Sequence, residues 1–226
     1  MDKEKARNAF ATLSKLLDVS FFGLENFRKI ERGKAAIIAF FPHTGHPDGP
    51  FVRLAVPEDL RDRLIYPAAS DYWYRKDLLS VARIQVASLI LPTFPISRGG
   101  AGHNDIMDSL SDAENLLNSG YLLVLSPEGT RSSLPLEERV FKTGVAELVI
   151  RTQKPVIPVL IKGFDEIMPR GTAIPKFFEH GKRRSVSATV GEPINFFINP
   201  NLKRSAQRKD ILEKLRRTFM DMKDGA

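Results

Sequence analysis

The stretch Ala35–Asp48, AAIIAFFPHTGHPD, constrains the fold more than any other part of the chain. Its first seven residues, Ala35 to Phe41, are all apolar and read as a short buried strand. Pro42 ends the strand, because proline has no N–H to give to a sheet ladder. His43, His46 and Asp48 follow at once, at the end of a buried strand, where α/β folds hold their ligands. His43 and Asp48 lie five positions apart. On one continuous helix that spacing separates them by roughly 140°, off any common face. They meet only if His43 sits on a loop and Asp48 on the helix that follows. Pro47 suits the first turn of such a helix. A carboxylate bonded to one imidazole nitrogen fixes the tautomer and leaves the other nitrogen as a base. Two unrelated polar residues in a surface loop would show the same spacing.

The rest of the chain alternates helical and strand-like patterns. Residues 3–18 read as an amphipathic helix with Phe10, Leu13, Leu16 and Leu17 on one side, followed by strand-like Val19 to Phe22 and a break at Gly23. Residues 49–60 can extend a helix from Asp48 with a break or kink near Pro57, and Leu64 to Ala69 reads as a strand. Ser70 and Asp71 are cap signals for a helix reaching about Leu91. Further helices are expected over 104–119, 142–152 and 203–222, and strands over Tyr121–Leu125, Pro155–Ile161 and Ser185–Val190. This alternation predicts a single-domain α/β protein, a mixed, largely parallel β-sheet flanked by helices. Residues 1–18 form its N-terminal helix, and 19–226 its main domain, ending in a C-terminal helix. A chain of 226 residues with 42% apolar content can build such a core.

Composition narrows the chemistry. There is no cysteine, which excludes disulfides and thiol nucleophiles. Lys and Arg total 34 against 27 for Asp and Glu, a net charge of +7 that favours anionic partners. The basic residues are dispersed rather than gathered on one recognition helix, so nucleic acid is not an expected partner. The N-terminus has no continuous apolar core and does not read as a signal peptide. No run reaches the roughly 20 apolar residues that span a bilayer. No histidine–carboxylate cluster has the spacing of a familiar metal motif, so no metal is expected.

Two further stretches carry polar groups that a site can use. Ser126 to Ser132, SPEGTRS, follows the strand YLLVL and packs Glu128, Thr130 and Arg131 around Gly129. Glycine permits a sharp turn, and arginine offers a planar fork to a phosphate or carboxylate. A plain polar turn would look similar. Phe94 to Arg98, FPISR, sets Arg98 beside Gly99 and Gly100, free to face an anion or simply to be a surface arginine.

Together, in this order, these stretches resemble the glycerolipid acyltransferase superfamily, in particular the bacterial lysophosphatidate acyltransferases. The carriers are H-x4-D at His43 and Asp48, the apolar-x-x-Arg block ending at Arg98, PEGTRS at 127–132 and the V-P-V-like strand Val156–Val159. GLEN at 23–26, FKTG at 141–144 and VGEPI at 190–194 add to them, so that the likeness runs over residues 19–197. The resemblance implies that His43 takes the proton of an acceptor hydroxyl and that Asp48 orients it. It implies that Arg98 and Arg131 hold the acceptor's phosphate. Glu128 and Gly129 would shape the acceptor pocket, with Thr130 supporting the turn. Lys142 would add positive charge or dock the donor, and Pro158 would set the strand near the acyl channel. Two positions depart from the pattern, which often has Asn or Ser where Pro42 stands and Ser where Gly45 stands. His46 reads as either a substrate contact or a loop residue.

The implied reaction moves an acyl group from acyl-CoA or acyl-carrier protein to lysophosphatidate, giving phosphatidate, with no cofactor besides the thioester co-substrate. Another lysophospholipid, a lyso-ornithine lipid or a glycolipid are alternative acceptors. Amphiphilic substrates imply a membrane-associated enzyme, peripheral on the cytoplasmic face of a membrane. The candidate contacts are the N-terminal helix, the segment Trp73–Pro92 and the pair Phe177–Phe178 near Lys176, Lys182, Arg183 and Arg184.

Overall fold

The computed structural model describes residues 12, 15–31, 33–70, 91–97, 103–168 and 175–225. Its main sheet has seven strands: β1 (Asp18–Phe22), β2 (Ala36–Phe41), β3 (Leu64–Ala69), β4 (Thr93–Ile96), β5 (Leu122–Leu125), β6 (Val156–Lys162) and β9 (Ser185–Val190). A separate hairpin pairs β7 (Phe178–Glu179) with β8 (Lys182–Arg183). The helices are α1 (Asp48–Ala55), α2 (His103–Asn118), α3 (Thr143–Thr152), the single turn α4 (Phe164–Ile167) and α5 (Arg204–Asp224).

The spatial order is β1-β9-β6-β2-β5-β3-β4. The five strands from β6 to β4 are mutually parallel. β9 runs antiparallel to β6, and β1 runs parallel to β9, so the last two strands oppose the rest. The expected mixed, largely parallel α/β sheet is thus the observed one.

Strand β2 lies at the centre, and all six of its residues are buried. Its side chains alternate between two cores. Ala36, Ile38 and Phe40 join Phe51 and Val52 of α1 on one face, while Ile37, Ala39 and Phe41 join Leu117, Val149 and Phe219 from α2, α3 and α5 on the other. A strand covered on both faces has no use for polar alternation, which is why its sequence is continuously apolar.

Local chemistry sets the edges of several elements. Gly23 has φ 68°, and a Cβ there would stand 2.2 Å from the Val190 carbonyl oxygen. Asn26 donates to that same oxygen at 2.9 Å, so the GLEN turn docks β1 onto the end of β9. Pro158 occupies a central strand, against the usual rule. Its carbonyl accepts from Gly191 N–H at 2.8 Å, just past the last β6–β9 pair, so the missing N–H falls at the end of that ladder.

Several expectations need amending. The helix after Asp48 breaks ahead of Pro57 and ends at Ala55 rather than reaching residue 60, because a residue before proline is pushed out of the helical region and Val56 is extended at φ −70°, ψ 133°. A short 3-10 turn, Glu58–Arg63, follows. The block Phe94–Ser97 belongs partly to edge strand β4, where Pro95 is tolerated because an edge leaves one side of the ladder unused. The expected helix over 3–18 lies mostly outside the described residues, as does that between Ser70 and Leu91.

The aromatic contacts of α5 allow a test of its share in the core. Phe219 is fully buried, with ring centroids 5.2 Å from Phe41 and 5.9 Å from Phe141. Phe219→Ala is expected to lower unfolding stability by about 3–5 kcal/mol in urea titration. Phe197→Ala, at a residue 90% exposed, is expected to stay within about 0.5 kcal/mol of wild type. Equal effects at the two positions would contradict this packing.

Candidate active site

β2 and β5 are neighbours, with Ala39 opposite Leu125. The segments leaving their carboxyl ends, His43–Asp48 and Ser126–Ser132, therefore emerge side by side. The first segment folds back on Asp48. This carboxylate is fully buried at the start of α1. Its Oδ2 accepts the Thr44 N–H at 2.7 Å, the Gly45 N–H at 2.9 Å and the His43 Nδ1–H at 2.8 Å. The Thr44 hydroxyl reaches Oδ1 at 3.3 Å. A carboxylate accepts and does not donate, so the bond to Asp48 puts the His43 proton on Nδ1 and leaves Nε2 as the acceptor. The ring stands edge-on to Phe40, at 5.3 Å between centroids, and its side chain is 24% exposed. His43 thus sits on the loop and Asp48 on the helix, as their spacing requires.

The second segment holds the first from behind. Glu128 is 3% exposed, and its Oε2 accepts the His43 backbone N–H at 2.5 Å. Its Oε1 accepts from Arg139 Nη1 at 3.2 Å. The His43 carbonyl accepts from Ser132 N–H at 3.0 Å. The resemblance implies that Glu128 shapes the acceptor pocket; in the structure its carboxylate turns to the His43 N–H and the Arg139 guanidinium. Both its oxygens are engaged beneath the loop, because the close β2–β5 pairing brings it under the His43 peptide.

The other expected residues divide between surface and turn. Gly129 has φ 68°, and a Cβ there would stand 3.3 Å from Lys142 Cγ, so the lysine stem lies across the glycine. The Lys142 N–H donates to Pro127 O at 2.7 Å, which ties FKTG to PEGTRS. Lys142 and Thr130 are exposed. Arg131 Nη1 meets His46 Nε2 at 2.8 Å. Arginine can only donate, so His46 accepts there and carries its proton on Nδ1. Arg131 is thereby brought to the same loop as His43 and Asp48. Arg98 lies outside the described residues, two positions beyond β4. Among the described residues no group of three or more His, Cys, Asp or Glu side chains has the arrangement of a metal site. No helix among them is long and apolar enough to cross a membrane.

The residue that sequence reading missed is Arg139. It is 5% exposed and forms a buried ion pair with Glu128. Nothing in its neighbourhood, LEERVF, marks it out. Only its contact with the PEGTRS glutamate does.

Residues 18–162 match the family profile described as Acyltransferase. The chain is similar in structure to PlsC from Thermotoga maritima, solved as a 1-acyl-sn-glycerophosphate (LPA) acyltransferase, with a TM-score of 0.63 at 22% identity. That match covers 98% of this chain and 78% of the other. No curated protein sequence matches the chain.

Burial holds the Glu128 carboxyl above the ordinary glutamate value, while the His43 N–H and the Arg139 guanidinium pull it down. A carboxyl raised by folding contributes stability while protonated and loses that contribution as pH rises through its folded value. The stability of wild type relative to Glu128→Gln, which cannot ionise, is therefore expected to fall as pH rises from about 4 upward. Urea unfolding of both proteins at a series of pH values measures this. A pH-independent difference would show that Glu128 titrates normally.

Proposed function

The chain belongs to the acyltransferase family, and from that premise we propose that it moves a fatty acyl group from acyl-CoA or acyl-carrier protein to the free hydroxyl of lysophosphatidate, giving phosphatidate. The observation that carries this reading is the His43–Asp48 pair at the carboxyl end of β2, with Arg131 of the neighbouring segment after β5 bonded to His46 of the same loop. The likeness to a solved LPA acyltransferase supports the choice of acceptor.

His43 Nε2 takes the acceptor's hydroxyl proton as its oxygen attacks the thioester carbonyl. A new C–O bond forms, and the tetrahedral intermediate collapses with cleavage of the C–S bond. The imidazolium returns its proton to the departing thiolate. Asp48 stabilises the imidazolium in between. No acyl-enzyme is formed, which suits a chain without cysteine. Arg131 and Arg98 bind the acceptor's phosphate through their guanidinium forks, and exposed Lys142 adds positive charge at the rim. Gly129 and Thr130 shape the turn that carries Arg131. The enzyme works at a membrane surface, peripherally and on the cytoplasmic side. The hairpin β7–β8 supports such contact, since it exposes Phe178 beside Lys182 and Arg183.

Acyl transfer from labelled palmitoyl-CoA and palmitoyl-carrier protein to lysophosphatidate tests the proposal. Wild type is expected to form phosphatidate. Asp48→Asn is expected to lose about 10³–10⁴-fold in kcat, since the amide no longer enforces the tautomer. His43→Ala is expected to lose at least as much. Arg131→Ala is expected to raise the acceptor KM more than tenfold with little change in the donor KM, since a charge-assisted phosphate contact is worth about 1.5–3 kcal/mol. A folded His43→Ala protein with wild-type turnover would overturn the mechanism.

A further inference from the structure

Arg139 takes no part in the chemistry just described, yet it is one of the few buried charges in the protein. Its Nε donates to Leu134 O at 2.8 Å. Its Nη1 donates to Glu128 Oε1 at 3.2 Å and lies 3.4 Å from the His43 carbonyl oxygen. The other Glu128 oxygen accepts the His43 N–H at 2.5 Å. The His43 peptide is thus gripped at both ends, its N–H by Glu128, its carbonyl by Ser132 N–H and by Arg139.

The segment carrying Arg139 is itself anchored. Arg216 of α5 donates to the carbonyls of Glu137 and Arg139. Phe141, two positions on, packs its ring against Phe41, the last residue of β2. A side chain so fixed at its base can hold a second side chain in one position.

We propose that Arg139 is a positioning residue for acyl transfer: its guanidinium holds the buried Glu128 carboxylate, and that carboxylate holds the His43 backbone so that the imidazole is aimed at the reacting hydroxyl. The inference rests on the reading of His43 as the general base. Its physical basis is that a buried carboxylate without its cation is either neutralised or expelled toward water. Either change loosens the charge-assisted bond to the His43 N–H. His43 and Arg139 are the charged or titratable groups that face Glu128 among the described residues. Without the guanidinium, only the His43 contacts oppose the effect of burial.

The test uses the full chain with Arg139→Met, Arg139→Lys, Glu128→Gln and the double variant Glu128→Gln/Arg139→Met. The double variant removes both charges together and so leaves no unpaired buried ion to prevent folding. Arg139→Met is expected to lower kcat about 10²-fold, the cost of misplacing a catalytic group by about 1 Å. Both KM values are expected to stay within about twofold. Arg139→Lys, which keeps the charge, is expected to recover about tenfold of the loss. In the Glu128→Gln background, Arg139→Met is expected to cost less than about twofold more, because the two residues act as one unit. The His43 amide proton, followed by ¹H–¹⁵N correlation, is expected to move upfield in Arg139→Met. Folded Arg139→Met with wild-type kcat and an unmoved amide resonance would overturn the proposal, as would additive losses in the double variant. If wild type acylates no lysophospholipid, the proposed function fails. The amide resonance then decides the clamp alone, and an unmoved signal overturns it.

Discussion

The Asp48 carboxylate organises the loop on which the candidate chemistry rests. One buried oxygen accepts two backbone N–H groups and an imidazole N–H from the residues just before it. A carboxylate out of contact with water is costly unless every lone pair is used. Here that cost becomes an ordering force. The loop can satisfy Asp48 in only one shape, and that shape places His43 with Nδ1 inward. The same residue begins α1, so the N-terminal N–H groups of a helix meet a negative charge. One side chain therefore joins strand, loop and helix and also sets the protonation pattern of the imidazole.

This arrangement would be loose if the loop were held only from within. The parallel pairing of β2 with β5 supplies the outer restraint, because it carries PEGTRS beneath the His43 peptide. The polar groups clustered in that segment thus serve two ends. Glu128 turns inward to backbone and Arg139, whereas Arg131 and Thr130 stay at the outer face with Lys142. Gly129 separates the two roles, since its left-handed backbone lets the chain reverse and lets the Lys142 stem pass over it.

Much of this was legible in the sequence, for physical reasons. Continuous apolar runs as short as Ala35–Phe41 fit a strand buried on both faces, and helical periods between such runs imply a largely parallel sheet. The His43–Asp48 spacing with Pro47 between them required a loop running into a helix, which is the observed geometry. The reversal of β9 and β1 was not legible, because the alternation of SVSATV fixes a face and not a direction. β4 escaped notice because four residues ending in FPI look like the tail of a loop, and β7–β8 because its strands have two residues each. The place of Glu128 depends on a contact between segments 85 positions apart, and Arg139 on a further contact with Glu128. No local pattern encodes either.

Asp48 holds His43 as the Nδ1–H tautomer, with Nε2 placed to take a proton. Nitrogen-15 NMR of the imidazole reports the tautomer directly, in wild type and in Asp48→Asn, at a pH where the ring is neutral. Wild type is expected to show a protonated Nδ1 and an unprotonated Nε2, with that preference weakened or reversed in Asp48→Asn. A wild-type His43 carrying its proton on Nε2 would contradict it.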